Sequence, residues 1–257
     1  MYGHMTGSMS SPLAQWFARY GYPLALALAI ALFVLLRRHG PALRAGAERV
    51  RRFFVPLSSL GAVAVFVKIA EDVQERETTR FDRAVSLALH RLDSPAMDAV
   101  MLSFTFLGSF PAIAAVMVGA TIWRLSRRDK RGAAMLVGVA VVTELLNLIL
   151  KEAFRRSRPS LFHEIATLHS YSFPSGHAMS SAAVYGSIAV LVARDAPARA
   201  GAAIGAAAVL AFLIGVSRIY LGVHWVTDVL AGWAAGLFVL LAGTYLLGKA
   251  DARGLAT

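Results

Sequence analysis

Two ionisable side chains in the last quarter of the chain have the spacing of a nucleophile and the acid that orients it. His224 and Asp228 are four residues apart at the start of an apolar stretch, so on a helix they share one face. A carboxylate can hold one imidazole nitrogen protonated and leave the other nitrogen able to attack. A second imidazole, that of His177, could protonate a leaving alkoxide. His224, Asp228 and His177 are therefore the candidate catalytic residues.

A second set of residues has the chemistry of an anion cradle. Arg158 and Arg218 carry guanidinium groups that can bind a phosphate bidentately, and Lys151 adds a third cation. Ser175 and Gly176 stand where a helix is predicted to begin, and the backbone N–H groups at such a position attract anions. Lys151, Arg158, Ser175, Gly176 and Arg218 are the candidate phosphate-binding residues.

Other polar residues nearby are candidates for contacts with a substrate headgroup. Arg155 and Arg156 could equally face solvent or lipid phosphates, and Tyr220 is also typical of an aromatic belt at the membrane surface. The headgroup candidates are Arg155, Arg156, His163, His169 and Tyr220. Within loop 160–173, His163, Glu164 and His169 also fit ordinary loop polarity. Glu144 and Asn147 share a helix face, where a polar contact between helices is favoured over a substrate role.

The elements that must position these residues are long and apolar. Hydrophobic residues make up 57% of the 257 residues and charged residues 16%, with a mean hydropathy of +0.60. A typical soluble domain has about 45–50% apolar residues and about 25% charged residues. This excludes a disordered chain and argues against a soluble enzyme. The absence of cysteine excludes a disulfide, a thiolate metal site and a cysteine nucleophile. The stretches that could span a bilayer are 20–38, 53–70, 97–123, 133–153, 176–193, 201–220 and 226–248.

The distribution of cations predicts the orientation of these spans. More than half of the 26 Lys and Arg residues fall in segments 37–52, 124–132, 194–200 and 249–257, which lie on one side of a seven-span arrangement. The positive-inside rule makes that side cytoplasmic. The segments that carry the candidate site then lie together on the outer side. Segment 71–96, also outside, predicts a short amphipathic helix on the membrane surface, with a loop as the alternative.

These patterns divide the chain into four parts. Residues 1–19 are predicted to be a disordered tail. Residues 20–52 hold an extra N-terminal transmembrane helix followed by a basic cytoplasmic loop. Residues 53–248 form the core with the candidate site, and residues 249–257 form a cytoplasmic tail.

Three motifs in this core resemble a known family. They are Lys151-x6-Arg158-Pro159, Pro174-Ser175-Gly176-His177 and Ser217-Arg218-x5-His224-x3-Asp228, and together they are similar to the three-part signature of the type 2 phosphatidic acid phosphatases (PAP2). The resemblance implies an all-α, polytopic transmembrane helix bundle with a six-helix core. The chain would add the N-terminal span and the short interfacial helix to that core.

The resemblance also implies a reaction that needs neither a metal nor a cofactor. His224 would attack phosphorus and become a phosphohistidine, oriented by Asp228. His177 would protonate the leaving lipid oxygen, and a water would then release phosphate. The five phosphate-binding candidates would stabilise the charge of the transition state.

The predicted substrate is a lipid phosphate or diphosphate of the bilayer. Undecaprenyl diphosphate is the first choice, followed by phosphatidic acid and phosphatidylglycerol phosphate. The expected location is the bacterial inner membrane, with the site facing the periplasm or the extracytoplasmic side. The sequence leaves the oligomeric state open.

Three other functions were weighed against this one. A transporter or flippase of lipid phosphates also needs several helices with charges in the membrane, but it does not require a His–Asp pair beside three cations. Vanadate-dependent haloperoxidases share the anion cradle but are soluble proteins. Nucleic-acid binding is disfavoured because the cations form short clusters between spans, not one surface stripe.

Overall fold

The computed structural model describes residues 47–161 and 170–254, and the regular secondary structure within these ranges is all helical, which confirms the predicted all-α bundle. The predicted tail 1–19 and the extra span 20–38 lie outside the described residues. The helices are α1 (Ala47–Gln74), α2 (Thr79–His90), α3 (Pro95–Leu107), α4 (Phe110–Ser126), α5 (Lys130–Phe154), α6 (Gly176–Asp195), α7 (Ala200–Tyr220) and α8 (Val226–Gly254), with a 3-10 turn at Pro197–Arg199 before α7.

Five stretches of the described residues are long and apolar enough to cross a membrane. They are Phe54–Gln74, Lys130–Phe154, Gly176–Asp195, Pro197–Tyr220 and Val226–Asp251. Each matches one predicted span to within a few residues at either end. The chain is therefore an integral membrane protein of the predicted class.

The structure differs from the expectation of one continuous span over 97–123. The structure divides it into α3 and α4, which meet at an angle of 49°. Gly108 and Ser109 separate the two helices, and Ser109 has an extended backbone with φ −70° and ψ 154°. Pro111 follows in the first turn of α4, where its missing N–H costs no hydrogen bond. The Gly-Ser-Phe-Pro run therefore interrupts the span.

The short helix predicted within 71–96 is present as α2, but its buried face is not apolar. Asp82 is fully buried and Ser86 is 1% exposed. Val85 and Leu89 pack against an apolar cluster formed by α6, α7 and the start of α8, whereas the Phe81 side chain is exposed. The apolar residues of α2 thus divide between two faces, and α2 turns a polar face towards the bundle.

Helix α6 lies at the centre of the bundle, against α4, α5, α7 and α8. Its N-terminal end is approached closely by α8, because a Cβ on Gly232 would lie 2.6 Å from the carbonyl oxygen of Ser175. Glycine permits this backbone contact. The main apolar core between these helices includes Met179 and Val184 of α6 with Leu136 of α5 and Val239 of α8.

An ionic cluster ties the helices together at the end of the bundle opposite α2. Arg124 is 2% exposed and forms ion pairs with Asp129 and Asp195. The side chain of Asp129 also caps α5 by accepting a hydrogen bond from the Gly132 N–H at 2.9 Å. Burial raises the pKa of Asp129, but the Gly132 N–H with Arg124 and Arg194 holds that pKa below its usual value. Arg124 is therefore a buried link, whereas the sequence placed it in a cytoplasmic loop.

Candidate active site

A cavity of about 410 Å³ brings the three sequence motifs together. It lies where α5 ends, α6 begins and α7 ends, next to the loop before α8. Its walls also include apolar residues of α4 and α5. The predicted site residues that line it are Lys151, Arg158, Gly176, His177, Arg218 and His224.

His224 and Asp228 form the buried pair that their spacing predicts. Nδ1 of His224 lies 3.4 Å from Oδ2 of Asp228, and the two residues are 2% and 0% exposed. The same oxygen accepts hydrogen bonds from the Trp225 N–H at 2.9 Å and from the Ser172 hydroxyl. A carboxylate at this position favours the tautomer of His224 that carries its proton on Nδ1.

The other ring nitrogen of His224 faces a cation. Nε2 lies 3.2 Å from Nη1 of Arg158. Burial lowers the pKa of His224 to about 3, and the charges of Arg218 and Arg158 lower it further while Asp228 opposes them. The ring is therefore neutral at physiological pH, with a lone pair on Nε2 at the cavity wall.

Arg158 is oriented by backbone carbonyl groups. Its Nε donates to the Ser170 carbonyl at 2.8 Å, and its Nη1 donates to the Val223 carbonyl at 2.7 Å. The Lys151 ammonium donates to the Tyr171 carbonyl and is 9% exposed. The loop that precedes α6 thus fixes two cations of the cradle.

Two further groups of the cradle are buried with unused hydrogen-bonding capacity. Arg218 is 7% exposed and donates through Nη1 to the Thr105 hydroxyl, but its Nε has no partner among the described residues. The Ser175 hydroxyl likewise has none in that part of the chain. Buried donors that lack partners are costly unless something else satisfies them.

Gly176 is the first residue of α6, and a Cβ there would lie 2.9 Å from Nδ2 of Asn147.

His177 follows Gly176 in the first turn of α6 and lines the same cavity as the His224 ring. It makes no hydrogen bond to another residue of the described ranges. Its ring is therefore available to a group that enters the cavity. Glu144 and Asn147 of α5 line the cavity as well, and Asn147 lies directly against Gly176 of α6.

The headgroup candidates lie in three different places. Arg155 is two-thirds exposed at the end of α5 and pairs with Glu152 at 3.3 Å. The Tyr220 hydroxyl donates to Asp98 at 2.8 Å, outside the cavity lining. Arg156 points behind the His224–Asp228 pair and forms ion pairs with Asp82 and Asp228. His163 and His169 fall outside the described residues.

Several polar partners of the site were missed by the sequence analysis. Ser172 stands two residues before the Pro-Ser-Gly-His motif, and Thr105 is a polar residue within an apolar stretch; both features were visible signals. Asp82 carries no such signal, because it is one of six acidic residues in segment 71–96. Among the described residues no group of three or more His, Asp or Glu side chains could hold a metal ion.

Comparisons with known proteins agree with the fold and the motifs. A sequence profile of the PAP2 superfamily matches residues 132–251. Phosphatidylglycerophosphatase B of Bacillus subtilis (strain 168) is 37% identical over 185 residues, which is 69% of this chain and 90% of the relative. A lipid A 1-phosphatase of Rhizobium johnstonii is 33% identical over 117 residues, covering 42% of this chain and 45% of the relative.

A solved structure extends the agreement to three dimensions. The crystal structure of the transmembrane PAP2 type phosphatidylglycerolphosphate phosphatase from Bacillus subtilis superimposes with a TM-score of 0.65 at 32% identity. The superposition covers 76% of this chain and 96% of the Bacillus subtilis chain. The chain belongs to the PAP2 superfamily. It is a phosphatase embedded in a membrane.

Proposed function

We propose that this protein removes phosphate from a membrane lipid phosphate through a phosphohistidine on His224, without a metal ion. One observation carries the proposal: Nδ1 of His224 faces Asp228 while Nε2 faces Arg158 at the cavity wall. An imidazole held in this way presents a lone pair beside a cation that can bind the phosphate under attack.

In the first half-reaction, Nε2 of His224 attacks phosphorus and the bond from phosphorus to the lipid oxygen breaks. The electron pair of that bond stays on the lipid oxygen, which takes a proton from His177. Asp228 stabilises the positive charge that develops on the His224 ring. The three nonbridging oxygens are bound by Lys151, Arg158 and Arg218, with the Ser175 hydroxyl and the Gly176 N–H.

In the second half-reaction, a water attacks the phosphorus of the phosphohistidine. His177, now neutral, takes the proton of that water. The bond from phosphorus to Nε2 breaks, its electron pair returns to the ring, and inorganic phosphate leaves. The site is then ready for another lipid.

The shape of the cavity supports a lipid as the leaving group. Beyond the cradle the walls are apolar, with Ile113 and Met117 of α4 facing the cavity. Phe110 and Val141 line it too, yet they are 70% and 52% exposed on the surface of the bundle. The cavity therefore reaches the face that a bilayer would cover, and an acyl or prenyl chain can lie along it.

The charges of the cavity support a lipid with one phosphate at the reacting end. In the described part of the chain, the cations that line it are Lys151, Arg158 and Arg218. The remaining charged residue of the lining, Glu144, lies about 10 Å further along α5 from Lys151, at about 1.5 Å of rise per residue. The cations of the lining are therefore gathered at the end of the cavity that holds His224, where the phosphate to be transferred would bind.

Phosphatidylglycerol phosphate is the substrate that we put first, because the Bacillus subtilis relative, of which 90% is covered, is a phosphatidylglycerophosphatase. Phosphatidic acid comes next. Undecaprenyl diphosphate, the first choice from the sequence, does not appear in the names of the relatives described above and becomes the third choice. We further propose that the protein lies in a bacterial inner membrane with the site outside, as the loop charges indicate.

A phosphate-release assay tests this proposal. Detergent-solubilised protein in EDTA is given phosphatidylglycerol phosphate, phosphatidic acid and undecaprenyl diphosphate in separate reactions, and His224→Ala is run beside it. We expect release that is fastest from phosphatidylglycerol phosphate and absent in the variant. No release from any lipid, or equal release by His224→Ala, would contradict the proposal and leave lipid-phosphate transport as the better reading.

A further inference from the structure

We propose that Asp82 and Arg156 are a positioning pair that holds Asp228 in the orientation required by His224. This inference rests on the proposed function, since it assigns a role in the same reaction. It concerns residues behind the site: Asp82 lies in α2, outside the segment 132–251 that matches the family profile, and Arg156 lies between Lys151 and Arg158 of the first motif.

The contacts of Arg156 explain why this cation does not join the cradle. Its Nη1 donates to Oδ1 of Asp228 at 2.5 Å and to the Thr227 hydroxyl at 2.8 Å. Its Nη2 donates to Oδ2 of Asp82 at 2.7 Å. The guanidinium carbon lies 5.7 Å from the centre of the Trp225 ring. A planar guanidinium that is held on three sides cannot also reach a phosphate bound by Arg158, two residues further along the chain.

Because Arg156 binds one oxygen of the Asp228 carboxylate, the two oxygens have different partners. Oδ1 accepts from Arg156, and Oδ2 accepts from Ser172 and from the Trp225 N–H while it faces His224. With both oxygens occupied, the plane of the carboxylate is fixed. The imidazole that it contacts is then oriented as well, because the single N–H on Nδ1 donates in one direction, towards Oδ2 of Asp228 and the neighbouring Ser172 hydroxyl.

Asp82 binds both Arg156 and Thr227, the residue that precedes Asp228. It is fully buried, and its Oδ1 accepts from the Thr227 N–H at 3.0 Å while its Oδ2 accepts from the Thr227 hydroxyl at 2.7 Å. Thr227 precedes Asp228 in the first turn of α8. Asp82 therefore anchors the backbone next to Asp228 and the guanidinium that contacts Asp228.

The charges of the three residues give Asp82 a second effect. Arg156 alone would neutralise Asp228, and a neutralised carboxylate stabilises a positive imidazole ring poorly. With Asp82 present, two carboxylates share one guanidinium, so these three residues together keep a net negative charge on the Asp228 side of the His224 ring, opposite Arg158. That charge opposes the positive charge that the ring gains when Nε2 bonds to phosphorus.

Two variants test the pair through the separation of kcat from KM. Asp82→Asn keeps the size of the side chain but removes its charge, and Arg156→Lys keeps the charge but loses the planar fork. We expect kcat on phosphatidylglycerol phosphate to fall about 10- to 100-fold in each, in the range of losses at residues that orient a reacting group. KM and the inhibition constant of inorganic phosphate should stay within about twofold, because the cradle is untouched.

Asp98→Asn is the matched control. Asp98 is an acidic residue in α3 that accepts from Tyr220 at 2.8 Å and, among the described residues, makes no hydrogen bond or ion pair with Asp228 or Arg156, so kcat should not change. Unchanged kcat in Asp82→Asn or Arg156→Lys would overturn the positioning role. Parallel changes in kcat and KM, or loss of the folded protein in both variants, would also overturn it, because they indicate a structural role. These outcomes leave the inactivity of His224→Ala unaffected, whereas an active His224→Ala would overturn the proposed function itself.

Discussion

Nη1 of Arg158 lies 3.2 Å from Nε2 of His224, on the side of the ring away from Asp228. The carbonyl groups of Ser170 and Val223 hold the guanidinium there. A phosphoryl group that reaches Nε2 must therefore pass within hydrogen-bonding range of Arg158. The cation is in place before the substrate arrives, which is the arrangement that stabilises a transition state most effectively.

Arg158→Lys should lower kcat/KM by about 100-fold, a loss typical of removing one oriented donor from a transition state. Lysine keeps the charge but cannot bond the two carbonyl groups and the phosphate together. Steady-state kinetics on phosphatidylglycerol phosphate measure the change. Arg91→Lys, at an exposed position beyond α2, is the control and should match the wild type. Equal activity of Arg158→Lys and the control would show that charge alone suffices at position 158.

The His224 ring should remain neutral well into the acid range. Burial lowers its pKa to about 3, below the usual value of about 6.5, so lowering the pH from 8 to 5 should not protonate it. NMR of ring-labelled histidine, with the resonance assigned through His224→Gln, tests this directly. We expect no titration of this ring between these pH values. A midpoint near 6.5 would contradict the buried environment described for it.

Gly176→Ala should impair the enzyme because of Asn147. The new Cβ would lie 2.9 Å from Nδ2 of Asn147, which is closer than real Cβ atoms approach, so either the Asn147 amide, which lines the cavity, is displaced or the start of α6 shifts. We expect kcat/KM to fall by at least about 10-fold, equivalent to about 1.4 kcal/mol of transition-state stabilisation. Shortening the neighbour in Gly176→Ala/Asn147→Ala should recover part of this loss relative to Gly176→Ala. If the double variant is no more active than the single one, steric contact with Asn147 is not the cause.

Arg124→Met should destabilise the bundle without changing the chemistry. The substitution leaves Asp129 and Asp195 without their buried partner. The expected cost is roughly 1–2 kcal/mol, below the range for breaking a fully buried ion pair, because both carboxylates are partly exposed and keep their ion pairs with Arg194. Thermal unfolding in detergent should show a lower midpoint, while kcat per folded molecule stays the same. A fall in kcat at an unchanged midpoint would contradict this purely structural role.

The sequence was sufficient to predict the parts of the protein that local patterns control. Apolar length predicted the spans, and the charges of the loops placed the three motifs on one side before any geometry was known. The motif residues do meet at one cavity. Loop charges could predict this meeting because helix ends on the same side of the membrane are close in space.

The features that escaped prediction depend on contacts between distant residues. Arg156 and Asp82 are 74 positions apart, and nothing near either residue indicates the other. From the sequence, Arg156 is a possible headgroup contact or a cation that faces solvent or lipid phosphates, because it falls between Lys151 and Arg158 of the first motif. The bend between α3 and α4 was missed for a different reason: apolar length was counted across Gly108 and Ser109, although a Gly-Ser pair followed by proline is a local signal for a break.

The central claim is that the phosphoryl group passes through Nε2 of His224 on its way to water. The stereochemical course at phosphorus tests it most directly, using a lipid that carries an isotopically chiral thiophosphate and following its hydrolysis in labelled water. Two successive in-line displacements, onto His224 and then onto water, invert the configuration twice, so the account predicts net retention in the released thiophosphate. Net inversion would mean that water attacks the lipid phosphate directly, and it would contradict the phosphohistidine pathway.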